Sequence, residues 1–122
     1  MNNTMEDYLS VYERLQQTER CLALGADDIR YRLNRCASCF VPLRVEDFPE
    51  ELREDFQEIM AMLTRKGSHF DWKNEMDYGS IHMTLLGEGD GATKTAMHKD
   101  TAVKIAQKLM LLKDKLLSYT KE

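Results

Sequence analysis

The sequence predicts a small, mainly α domain over residues 1–122, with three to four amphipathic helices and room for one short β-hairpin. Three observations lead there. Apolar residues recur at helical spacing along most of the chain, Asp, Pro and Gly stand where helices would start and stop, and 43% apolar with 31% charged residues in 122 suits one core. The class is therefore α or, with the hairpin, α+β, and two domains are not expected.

From about Thr4 to Leu24 the residues Tyr8, Tyr12, Leu15 and Leu22, with Val11 and Cys21 beside them, mark one face of a first helix. Gly25 offers its stop. Asp27 and Asp28 supply a cap and favourable charge for a second helix, whose buried face reads Ile29, Leu33, Cys36 and Phe40 and which must end before Pro42. A third start signal is Val45 to Leu52, where Asp47 or Phe48 caps, Glu50 can complete a capping box and Pro49 falls in the first turn. Leu52, Phe56, Ile59 and Leu63 follow, and Arg65-Lys66-Gly67 closes the helix.

Residues 68 to 86 break this rhythm. Two segments, His69 to Trp72 and Ser80 to Leu85, flank the turn-rich Lys73 to Gly79 and can pair as a hairpin; the alternative is a loop followed by helical turns at Ile81 to Leu86. The last helix runs from Thr95 or Asp100 to Tyr119, with Ile105, Leu109, Leu112 and Leu116 on one stripe. Val103, Ala106, Met110 and Leu117 widen that stripe, so the helix either lies at the centre of the fold or continues across a subunit interface. A homo-oligomer is expected on that ground.

Charge and cysteine usage bound the function. The net charge of −4 argues against a duplex nucleic acid partner, and basic residues concentrate in the second half: 7 basic and 13 acidic residues precede position 62, against 10 and 8 from there on. An anion belongs in that half. The N-terminal MNNTMEDYLSVYERL has no long apolar run, so no secretory signal or membrane anchor is expected. Three cysteines without a framework point to thiols in a reducing, cytoplasmic compartment.

The stretch GEGDGATKT, Gly87 to Thr95, resembles a phosphate cradle but fails as one. A Walker loop needs Gly-Lys-Thr, whereas Ala92-Thr93 separate Gly91 from Lys94, and Glu88 and Asp90 would repel phosphate. It reads as a connector. What survives is the helix start after it, where a positive dipole end meets Lys94, Lys99, Thr101 and Lys104. Phe70, Trp72 and Tyr78, near Arg65, Lys66 and Lys73, could stack a base and pair a phosphate, or close one end of the core. Cys36-Ala37-Ser38-Cys39 has no second closely spaced pair for zinc, and three scattered histidines suggest no catalytic triad. No metal, cofactor or enzymatic activity is expected.

Four segments together resemble a known family. They are Asp47 to Leu52 with Asp55-Phe56, Leu63 to Gly67, Gly79 to Leu85, and Thr101 to Ala106, and they are similar to phage Thoeris anti-defence proteins that act as signal-sequestering sponges. The resemblance covers about residues 25 to 119. It implies a viral protein, acting in the host bacterial cytoplasm, that binds a cyclic ADP-ribose variant or cyclic oligonucleotide without cleaving it. It also implies ligand contacts at Thr101 and Lys104, with His98 or Lys99 where an Arg would stand; Asp100 and the GEGDG insertion depart from the pattern.

The expected ligand set is therefore Lys99, Thr101, Lys104, Phe70, Trp72, Arg65, Arg32 and His98, serving a small signalling nucleotide. The competing reading is an acidic protein–protein inhibitor or adaptor that covers a partner's basic surface. Under that reading Glu50, Glu51 and Glu54 carry the activity.

Overall fold

The computed structural model describes residues 5–24, 26–73, 75–87 and 96–121. The expected Gly25 stop, and Glu88 to Thr95 of the glycine-rich stretch, lie outside them. Helix α1 spans Met5–Ala23 and α2 spans Ile29–Phe40. After a 3-10 turn at Val45–Asp47 come α3 (Glu50–Leu63), strands β1 (His69–Asp71) and β2 (Met76–Tyr78), α4 (Ser80–Leu86), α5 (Lys99–Leu117) and a last 3-10 turn, Ser118–Thr120.

The core forms where the apolar stripes converge. Leu15 of α1, Leu33 and Phe40 of α2, Phe56, Ile59 and Leu63 of α3, Leu85 of α4, and Ile105, Leu109, Leu112 and Leu116 of α5 are all buried. Phe48 stacks on Phe56 with ring centroids 4.5 Å apart, which fixes the entry into α3. Helix α5 packs on α1, α2 and α3, so it is the central helix of the bundle. Its one buried cation, Lys113, donates to Glu19 Oε2 at 2.7 Å and ties α5 to α1.

Several expectations need correction. The hairpin and the helical turns were alternatives, yet both are present: the antiparallel strands pair His69 with Tyr78 and Asp71 with Met76, and Ser80–Leu86 is helical. The second strand thus lies inside the stretch read as a turn. The physical reason is that Ile81 and Leu85, four apart, bring one face of α4 onto the core, which a strand would not do. Helix α3 starts after Pro49 with no side-chain cap; Asp47 instead caps the preceding 3-10 turn, where its Oδ2 accepts from the Arg44 backbone N–H at 2.7 Å.

The thiol expectation is overturned for two of the three cysteines. The turn between α1 and α2 sets Cys21 against Cys36 with Cα atoms 5.8 Å apart, and they form a disulfide. Cys39, the other half of the C-x-x-C pair, is the unpaired thiol. Cysteine usage therefore gives no support to a reducing compartment. Among the described residues no helix is long and apolar enough to cross a membrane.

Candidate functional site

Two hydrogen-bonded anchors hold the start of α5. Asp28 caps α2 by accepting from the Arg30 backbone N–H at 2.9 Å, and its two oxygens also take Arg30 Nε and Nη2 at 3.0 Å each. Arg30 Nη1 then reaches the Met97 carbonyl at 3.0 Å, and Lys99 Nζ lies 3.3 Å from Asp28 Oδ2. The Arg30 guanidinium holds the Asp28 carboxyl far below its ordinary value of 3.8, so this clamp is ionised at neutral pH. From the other side, the Met97 N–H donates to the Leu85 carbonyl at 3.2 Å, which joins the end of α4 to the approach to α5.

The turn after α3 is anchored to α4. The Lys66 backbone N–H donates to Thr84 Oγ1 at 3.0 Å, Thr84 Oγ1 donates to the Ser80 carbonyl at 2.8 Å, and Ser80 Oγ donates to the Lys66 carbonyl. Thr84 is buried for this purpose. These anchors leave a pocket of about 360 Å³ between the turn and the α5 start, lined by Arg65, Lys66, Thr84, Ala96, Met97, His98 and Thr101. Its polar lining is cationic, imidazole or hydroxyl, and no carboxylate is among those residues.

The pocket selects from the expected ligand set. Arg65, His98 and Thr101, which come from two distant parts of the sequence, are brought together. Lys99 turns to Asp28 instead, and Lys104 is exposed and outside the lining. Phe70 and Trp72 form an edge-to-face pair 4.5 Å apart on the hairpin, with Trp72 83% exposed. Neither lines the cationic pocket. Arg32 lies in an apolar groove between α1, α2 and α5, where its Nη1 donates to the Leu22 carbonyl at 2.9 Å.

No family profile, curated protein or solved structure matches the chain. Function is therefore argued from the pocket's chemistry. The helix start contributes less than its dipole suggests, because the Asp100 N–H donates to His98 Nδ1 and those of Thr101 and Ala102 to the His98 carbonyl. Any anion held here would have to be held by side chains rather than by these backbone amides.

Lys66 was read only as one of the cations near Phe70 and Trp72 that could pair a phosphate, and Thr84 was not singled out. Arg65-Lys66-Gly67 reads in sequence as a helix stop, and Thr84 as a polar residue in an apolar run; only the packing of α4 under the turn joins them. A second concavity, of about 470 Å³, includes Asn34, Thr64, Asp77, Tyr78 and His82. Asn34 Nδ2 lies 3.4 Å from His82 Nδ1 there, and the Asp77 carboxylate makes it the poorer place for an anion.

Proposed function

We propose that this chain binds a small phosphate-bearing nucleotide in the Arg65–His98–Thr101 pocket and retains it unchanged, as a sponge for a cyclic nucleotide signal. The observation that carries the reading is the convergence of Arg65, Lys66, His98 and Thr101 on one pocket, with no carboxylate among its described lining residues. Its volume falls within the range of about 300–1,000 Å³ usual for small-molecule sites. Arg65 offers a planar fork suited to phosphate oxygens, and Thr101 a hydroxyl beside it. The resemblance of four sequence segments to anti-defence sponges suggests the ligand class, a cyclic ADP-ribose variant or cyclic oligonucleotide, and a role in blocking a host immune signal.

Sequestration needs a preformed site more than reacting groups. The anchors through Asp28, Arg30, Thr84 and Ser80 supply that rigidity from two sides of the pocket. The test is calorimetric titration with cyclic dinucleotides, cyclic trinucleotides and cyclic ADP-ribose isomers, for wild type and Arg65→Ala. Binding of one class that weakens at least tenfold in the variant, about 1.4 kcal/mol, supports the reading. Equal affinity in both proteins would sink the assigned site.

One observation favours the inhibitor reading: Glu50, Glu51 and Glu54 are all exposed at the start of α3. Such a patch would steer the chain onto a basic partner. Reversing these three charges abolishes inhibition of a partner under that reading and leaves nucleotide titrations unchanged.

A further inference from the structure

The cationic pocket has a neighbour of different chemistry. Arg65, Lys66 and Thr84 line the pocket, while Thr64 and Ser80 line the second concavity, of about 470 Å³. Thr64 and Arg65 are consecutive in the chain, and Ser80 and Thr84 lie one turn apart on α4. Ser80 Oγ donates to the Lys66 carbonyl, so a residue lining one space is bonded directly to a residue lining the other. The two spaces adjoin across that hydrogen bond.

The second concavity is built for a flat, uncharged ring. Val41, Met60 and Ile81 give it an apolar lining, and Tyr78 and His82 add two rings with centroids 4.7 Å apart. His82 Nδ1 lies 3.4 Å from Asn34 Nδ2 and its Nε2 is buried, so the imidazole meets a ligand with its ring rather than its nitrogens. Asp77 also lines the space; it is exposed, and among the described residues no hydrogen-bond or ion-pair partner takes its side chain. A carboxylate there accepts N–H groups and repels phosphates and bare ring nitrogens.

We propose that this concavity is the base subsite of the nucleotide whose phosphate occupies the cationic pocket, and that Asp77 makes it selective for guanine. Guanine carries a ring N–H and an amino group side by side, which one carboxylate accepts together. Adenine and cytosine set their amino group beside a ring nitrogen whose lone pair would face that carboxylate, and uracil flanks its one N–H with two carbonyls. The Asn34 amide supplies a donor for the guanine O6, and the Tyr78 and His82 rings pack against the base as aromatic side chains do in single-strand recognition.

This assignment rests on the nucleotide reading for the phosphate and narrows it for the base. Of the two ligand classes, it selects a guanine-bearing cyclic oligonucleotide over an adenine-bearing cyclic ADP-ribose variant. It also fixes the ligand's direction, since Arg65 attracts the phosphate and Asp77 repels it, and the ribose crosses between the two spaces at the Ser80–Lys66 bond.

The test is titration of the full chain with guanosine monophosphate and adenosine monophosphate, followed by backbone-amide NMR shifts, for wild type, Asp77→Asn and Arg65→Ala. Guanosine monophosphate is expected to bind at least about tenfold tighter than adenosine monophosphate, with shifts at Asn34, Asp77 and Tyr78. Asp77→Asn, which sets an N–H against the guanine donors, should bring the two ligands within about threefold. Arg65→Ala should weaken both alike and leave their ratio unchanged. A guanine preference that needs Asp77 but is indifferent to Arg65→Ala would sink the phosphate pocket and keep the base subsite. Dependence on Arg65 without a guanine preference, a preference that survives Asp77→Asn, or no binding of either nucleotide would overturn the base subsite.

Discussion

Asp28 does two jobs through one carboxylate, capping α2 and gripping the Arg30 side chain that holds the Met97 carbonyl. Removing it with Asp28→Ala is expected to cost about 1–3 kcal/mol, the loss of a cap and of charge-assisted hydrogen bonds. The pH dependence has a definite sign. Because the folded-state value is depressed below 3.8, the contribution is full above that pH and disappears as pH falls through the lower native value. Thermal melts of wild type and Asp28→Ala should therefore converge in acid below about pH 4 and stay apart from there to neutrality. Lys113 works in the opposite direction: Glu19 raises its ammonium above 10.5, so its contribution holds below that value and is lost only in stronger alkali. Arg65 is different in kind, since it is exposed and its proposed role is toward a ligand rather than in the fold.

Among the elements, the α1–α2 pair is stapled and the α5 stripe is packed. The Cys21–Cys36 bond closes a 15-residue separation, worth about 3 kcal/mol. Reduction, or Cys36→Ser, should lower the melting temperature by roughly 10 °C, while a melt unchanged by reductant would show the bond absent in solution. Leu109, fully buried on α5, should cost about 2–5 kcal/mol as Leu109→Ala in denaturant unfolding. These helices were legible because their stripes repeat every three or four residues and because Asp28 and Pro42 bracket α2 unambiguously. The hairpin register was not, since the alternation Met76-Asp77-Tyr78 is only three residues long and sits among turn-forming residues, whereas Ile81 to Leu85 fits either period. The disulfide was hidden too. Which of three cysteines pair depends on how α1 lies against α2, a tertiary fact that spacing along the chain does not encode.

In the whole molecule, α5 borders a cationic pocket at its start and an apolar groove along another side. Arg65, His98 and Thr101 were readable as candidate anion ligands, but their assembly depends on α4 bridging the α3 turn to the α5 approach. Lys104 was read as a cation near a helix start and, through the resemblance, as a ligand contact, but it does not line the pocket. Retention of a signal requires that the ligand leave as it entered. The most direct test is to incubate the purified protein with cyclic dinucleotides, cyclic trinucleotides and cyclic ADP-ribose isomers, remove free ligand by filtration, denature the protein and weigh what is released by mass spectrometry. Recovery of one intact species, lost in Arg65→Ala, is the predicted result. Release of a chemically altered species, or retention of none across the panel, would contradict the account.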